Sequence, residues 1–313
     1  MTQHSATGPR YPVRMFSRSV CLALALACVK LLSAQDPSIE ECKQHLQTPL
    51  PAEASQIPTP KTWPDCNSYK LYSGIGTKVD YAAARKCAWS ERLAQQADLE
   101  PRYTIASVFG GSAMLAVLYA NGEGVPKDLD LAERFVCEAG GAPAEMHIRL
   151  DHVASLANKE SSANAKFDFC DDITSGFMQG FCAGYASELE DQKRTAKLNK
   201  ITSQFTTEQQ KLFASLRTAH EAYAHAHARG EIDLSGTARA MFQIDAEDTL
   251  REDFIEALRS FEAGNFPSAT PADYTDADMK LNAAYRNAIS NAERSKDDYG
   301  AVQPAGIHNA ERA

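Results

Sequence analysis

Three histidines, His220, His225 and His227, stand together in "HEAYAHAHARG", and imidazoles grouped this densely raise zinc or general-base chemistry first. On a helix, ligands that share a face need separations of three or four residues. These are separated by five, two and seven, which argues for a solvated histidine face and against a metal centre. Two acidic runs, "SELEDQ" at 187–192 and "IDAEDTLREDF" at 244–254, could supply paired carboxylates, with Glu188 and Asp245 as acid and base. Nothing beside them in sequence specifies a pocket, so they read as exposed helix surface. No GxSxG, HExxH or cysteine–histidine signature occurs, and no catalytic residue, cofactor or metal ligand is assigned.

Phosphate chemistry is the remaining possibility, raised by Gly74-Ile-Gly76 and Gly122-Glu-Gly124. A phosphate loop follows a strand and continues into Gly-Lys-Ser/Thr or a third glycine, and neither stretch does so. "YSGIGTKVDYAAARKCAW" and "YANGEGVPKDLDLAERFVC" instead superpose 48 residues apart, pairing Gly74 with Gly122, Gly76 with Gly124, Asp80 with Asp128 and Ala84 with Ala132. Read as helix–turn–helix, the glycines supply positive φ, the aspartates cap the second helix, and the alanines allow close helix contact. With Leu115, Leu118, Tyr119 and Val125, these residues resemble Sel-one-like repeats, relatives of tetratricopeptide repeats. The first copy is degraded and followed by a longer insertion. The resemblance implies a solenoid of stacked helix pairs and contact with another protein. The helix in "PAEMHIRLDHVASLA", with Met146, Leu150, Val153 and Ala157 on one face, is expected to cap the stack.

The polar stretch "NKESSANAKF" at 158–167 marks a boundary, giving a repeat segment over 35–157 with a proline-rich lead-in and a second domain over 158–313. In the second domain Phe177, Phe181, Tyr185 and Leu189 recur at helical spacing, and these aromatics, with Tyr223, read as core. Thr206 or Thr207 caps a helix whose stripe is Leu212, Leu216, Ala219, Tyr223 and Ala226. A further helix follows the tight turn "GTAR" at 236–239 and runs through Phe254, Leu258 and Phe261 to Gly264. The last long one is capped by Thr275 or Asp276 and turns Leu281, Ala284, Tyr285 and Ala288 one way. No strand signal competes, so the class is all-α: a short helical-repeat segment followed by a disulfide-linked helical domain.

Cys170, Cys182 and the stretch "ADMKLNAAYR", with Asp278, Leu281, Asn282 and Tyr285, resemble the lysozyme inhibitor LprI-like N-terminal domain family over roughly 165–313. That family continues beyond a segment like "GIHNAERA" into a cluster of tryptophan, tyrosine and arginine. This sequence stops at Ala313, so a shortened last helix and uncovered apolar surface on its predecessors are expected.

The compartment follows from the beginning of the chain and the cysteines. Arg10, Arg14 and Arg18 precede the apolar run "VCLALALACV" at 20–29, which is too short to span a bilayer and reads as a secretory signal over 1–34, with Met1 or Met15 as the start. "ALAC" resembles a lipoprotein box, but Ala25 stands where a larger aliphatic residue is usual, so cleavage after Ala34 is preferred to a lipid anchor at Cys28. Of 313 residues 44% are apolar, enough for a sizeable core, and the formal charge is −9. Loss of Arg10, Arg14, Arg18 and Lys30 with the signal takes the charge to about −13, which opposes nucleic acid and favours a cationic partner.

Six cysteines then remain and, in an exported chain, read as disulfides. Cys170 and Cys182 form the most local pair. Among the three pairings open to the other four, Cys42 with Cys66 and Cys87 with Cys137 are favoured. The functional expectation is an exported protein-binding protein of the bacterial cell envelope, with lysozyme as the partner implied by resemblance. The alternative is a glycan-processing envelope enzyme or accessory using Glu188 and Asp245.

Overall fold

The computed structural model describes residues 37–99, 104–158 and 165–313. The expected signal over 1–34 and the alternative anchor at Cys28 lie outside the described residues. Within them the chain is all-α, with twelve α-helices and no strand. The first seven are α1 (Pro37–His45), α2 (Ser68–Ser73), α3 (Tyr81–Gln96), α4 (Ile105–Phe109), α5 (Ser112–Asn121), α6 (Leu129–Ala139) and α7 (Pro143–Ser155). The remaining five are α8 (Gly176–Thr202), α9 (Thr207–Gly230), α10 (Arg239–Glu262), α11 (Pro271–Ser295) and α12 (Pro304–Ala310).

The two glycine turns carry one hydrogen-bond pattern. Gly74 and Gly122 are left-handed, with φ of 74° and 69°, and end α2 and α5. Their N–H groups donate to the Lys70 and Leu118 carbonyls, and those of Ile75 and Glu123 donate to the same two. Asp80 N–H then returns to Leu71 and Asp128 N–H to Tyr119. The carboxylates of Asp80 and Asp128 accept from Ala83 and Leu131 N–H, capping α3 and α6 as their positions predict. Every partner is displaced by 48 residues, so the sequence repeat is also a repeat of backbone geometry. Fully buried Ala84 and Ala132 sit one turn into the second helices.

Packing in this half centres on α5, in which every residue from Ser112 to Ala120 is buried. A helix apolar on all sides is stable only when surrounded. Here α3, α4 and α6 pack around it, α7 lies on α6, and α1 lies on α6 and α7. The hydrophobic cluster continues past residue 158 through Phe167, Phe169, Met178 and Cys182, so the start of α8 is held by the repeat segment. From there the neighbours run in a line: α8 packs on α10, α10 on α9, α9 on α12, and α12 on α11. α8 joins the two halves.

Several expectations are corrected. The disulfides are Cys42–Cys137, Cys66–Cys87 and Cys170–Cys182, so only the local pairing holds. The α2–α3 hairpin brings the residue preceding its first helix beside the middle of its second, and α1 folds back onto α6, away from Cys66. The stripe of α9 also points the other way: Leu212 and Leu216 are 63% and 51% exposed and Tyr223 is exposed. Ala224 and Ala228 are the buried positions, with Phe213 and His220 turned toward Phe254 of α10. On α10 the buried residue is Ile255, and Phe261 is exposed. Thr270, in a capping box with Asp273 and followed by Pro271, starts α11 ahead of Thr275 and Asp276. Phe177, expected in the core, is half exposed, whereas Phe181, Tyr185 and Leu189 pack against the cluster.

Candidate binding cleft

The stacking of α3, α5 and α6 against the starts of α7 and α8 leaves a cleft of about 910 Å³. Its walls include Arg92, Gln95, Glu138, Gly141, Phe169 and Met178. Arg92 on α3 donates through Nε and Nη2 to the two carboxylate oxygens of Glu138 on α6, at 2.5 and 2.8 Å. Glu138 also accepts from Arg134 Nε at 2.9 Å and Ser112 Oγ at 3.2 Å. Arg134 then reaches the carbonyls of Leu46 and Thr48, tying the segment after α1 to the stack. Burial pushes the Glu138 carboxyl up, but Arg92 and Arg134 outweigh it and hold the group below its ordinary value. The Arg92 guanidinium lies 5.5 Å from the Trp89 ring centre and 5.7 Å from that of Phe135.

A second buried pair closes the other wall. Glu145, in the first turn of α7, accepts from the N–H groups of Thr174 and Ser175 at 2.9 and 2.7 Å, fixing the approach to α8. Burial opposes its charge, yet these donors and Arg149 hold its carboxyl below the ordinary value. Arg149 lies 3.8 Å above the Phe169 ring centre and donates to the Phe169 carbonyl at 3.2 Å. The Glu145 Oε2 and Arg149 Nε atoms are buried and make no hydrogen bond among the described residues, with Glu145 Oε2 lying 3.7 Å from Arg149 Nη2.

The serines in the walls are engaged as well. Ser107 forms the capping box of α4 with Thr104, Ser175 caps α8, and Ser112 binds Glu138. The cleft thus presents paired charges, aromatic edges and backbone.

Beside the cleft, buried Glu91 joins the two repeats. Its carboxylate accepts from Ser68 N–H and Oγ at the start of α2 and from Gly111 N–H, at 2.9 Å, at the start of α5. Burial outweighs these bonds and raises its pKa. The Sγ atoms of Cys66 and Cys87 and a Glu91 oxygen lie within 4.8 Å of one another, a spacing that could hold a metal. The two sulfurs are bonded to each other, and the carboxylate already serves two helix starts.

Other residues marked by the sequence fall elsewhere. Glu188 accepts from Tyr69 Oη at 2.9 Å and pairs with Lys70 at 3.4 Å, linking α8 to α2. Asp245 is exposed on α10, with its carboxyl raised by partial burial and by Asp248. Neither lines the cleft. The acidic runs are not bare surface: Arg194 on α8 binds Asp191 at 2.7 Å and Asp248 at 2.9 Å, and Arg251 gathers Glu221, Glu247 and Asp248. Their repulsion is used to hold arginines between α8, α9 and α10. The histidines disperse, as their spacing requires. His225 meets Glu247, His227 meets Glu231, and His220, expected on a solvated face, stacks on Phe254 and contacts the Leu250 carbonyl.

Asp278, Leu281, Asn282 and Tyr285 lie on α11. Asn282 Nδ2 donates back to the Asp278 carbonyl at 2.8 Å, and Tyr285 Oη meets His308 Nδ1. Sequence reasoning missed Arg92, Glu138, Glu145 and Arg149 because their partners lie on other helices or outside the repeat. The local signals were the four-residue steps from Arg134 to Glu138 and from Glu145 to Arg149. Family models, curated proteins and solved structures were compared with the chain, and none matched.

Proposed function

We propose that this is an exported protein of the bacterial cell envelope that acts by binding another protein, a cationic one of the lysozyme type. The observation that carries the reading is the helix pair built twice with one hydrogen-bond pattern and stacked around α5. Stacked helix pairs form extended concave surfaces suited to protein contact, and the cleft lies in that stack. Three disulfides fit an oxidising compartment, and among the described residues no helix is long and apolar enough to cross a membrane. The acidic balance complements a basic partner. The lysozyme part rests on the resemblance carried by Cys170, Cys182 and the α11 signature.

Lysis of peptidoglycan by a basic lysozyme, titrated with the disulfide-bonded chain at about 0.15 M salt, tests the reading. An unrelated acidic protein serves as control, and product release by the chain alone is measured in parallel. Inhibition near stoichiometry, absent from the control, is expected. Equal effects of chain and control would remove lysozyme as partner, and turnover by the chain alone would favour the glycan-processing alternative.

A further inference from the structure

The far end of the molecule carries a second concave surface, distinct from the cleft. α11 meets the rest of the described chain chiefly through α12, and between α9, α11 and α12 lies a groove of about 650 Å³. Its apolar floor is Leu281, Ala284, Tyr285, Ala288, Val302 and Ile307, and Leu281 is 61% exposed. Ala284 and Ala288 stand four residues apart along the α11 side, a ridge low enough for another helix to approach closely, and Ala292 beyond them is buried. From Leu281 to Ser295 this side runs about 21 Å, the length of a four-turn helix.

Electrostatics selects the occupant. Glu231, Asp233, Asp298 and Glu311 line the groove, and no lysine or arginine does. Only His227 offsets a member of this set, through its contact with Glu231. Of the nearby cations, Arg294 bonds Ser290 and the groove-lining Asn291, and Lys296 pairs with Glu293. The carbonyl ends of α9 and α11 also reach this rim, at Gly230 and Ser295, adding partial negative charge. A second copy of this chain would bring the same acidic rim against it, and an anionic lipid surface would be repelled.

We propose that the groove docks a cationic amphipathic α-helix of a partner protein, its apolar face on Leu281, Ala284 and Tyr285 and its lysines or arginines against the acidic rim. This deepens the protein-binding reading, and rests on it, by naming the docking surface and the chemistry of the segment that fills it.

The test uses the disulfide-bonded chain and a labelled four-turn leucine/lysine amphipathic peptide, with a leucine/glutamate peptide of the same pattern as comparison, followed by fluorescence anisotropy at about 0.15 M salt. Saturable binding of the lysine peptide alone is expected. Leu281→Asp, and Asp298→Lys combined with Glu311→Lys, should each weaken it at least about tenfold with unchanged helical circular dichroism, these being exposed positions. Glu256→Lys, exposed on α10 outside the groove, should leave it unchanged. Equal binding by the groove variants, binding of both peptides alike, or no binding of the lysine peptide would overturn the proposal, as would sedimentation showing the groove closed by a second copy. The same variants in the lysis titration separate the two claims: inhibition that survives them leaves the general reading intact and removes the groove as the surface the lysozyme fills.

Discussion

Gly76 and Gly124 share a φ of 68° yet differ in what surrounds them. A Cβ on Gly76 would meet nothing within 4 Å, whereas one on Gly124 would come within 2.8 Å of the Tyr81 backbone. Gly76→Ala should therefore cost only the left-handed penalty of about 1 kcal/mol, and Gly124→Ala at least about 2 kcal/mol, because the second turn must also draw away from α3. Urea denaturation of the two variants checks the order; equal losses would mean that contact between the turn and α3 contributes nothing. The buried carboxylates make a second residue-level prediction. Glu138 is held below its ordinary value of 4.5, so its contribution is present above that pH and is lost as pH falls through the depressed value. Glu91 has the opposite sign: its pKa is raised, and its contribution is lost as pH rises through that value. Glu138→Gln should flatten the acid limb of the stability profile, measured as urea midpoint against pH below about 5. An unchanged acid limb would contradict the assigned pairing with Arg92 and Arg134.

Among the elements, the cross-links hold very different lengths of chain. Cys42–Cys137 spans 95 residues and ties α1 to α6, whereas Cys170–Cys182 spans 12 before and within α8. In the loop-entropy account, replacing the long cross-link by two alanines should cost roughly 2 kcal/mol more than replacing the short one. Denaturation of both double variants measures the difference, and a larger loss from the short link would contradict it. The helix-pair turns were legible in the sequence because Gly74, Gly122, Asp80 and Asp128 act locally, through backbone conformation and caps. The inward face of α9 was not. Leu212, Leu216 and Tyr223 are the apolar choice by composition, but α10 approaches the side where Ala224 and Ala228 permit close contact. The disulfides of Cys42 and Cys66 were misread for a related reason, since nearness in sequence across the lead-in segment says nothing of the fold of α1 onto α6. The cleft was least legible: Arg134–Glu138 and Glu145–Arg149 are steps within one helix, but the pairing of Glu138 with Arg92 and of Glu145 with the N–H groups before α8 is tertiary.

The whole molecule is an acidic, triply cross-linked pair of helical arrays joined by α8. Thiol counting on denatured, unreduced protein should find few free thiols among Cys42, Cys66, Cys87, Cys137, Cys170 and Cys182 if the proposed export is right. Six free thiols would contradict both the compartment and the connectivity, and would release Cys66 and Cys87 as metal ligands beside Glu91. Binding of a cationic protein is the central claim, and its kinetics separate specific attachment from general charge attraction. Association and dissociation rates of the disulfide-bonded chain with a basic lysozyme, recorded by interferometry as the Debye length is shortened from about 10 Å to about 3 Å, test it most directly. A saturable complex whose association slows with salt while its dissociation rate changes little is the predicted result. Absence of a saturable complex, or equal binding of the lysozyme to an unrelated acidic protein, would contradict the account.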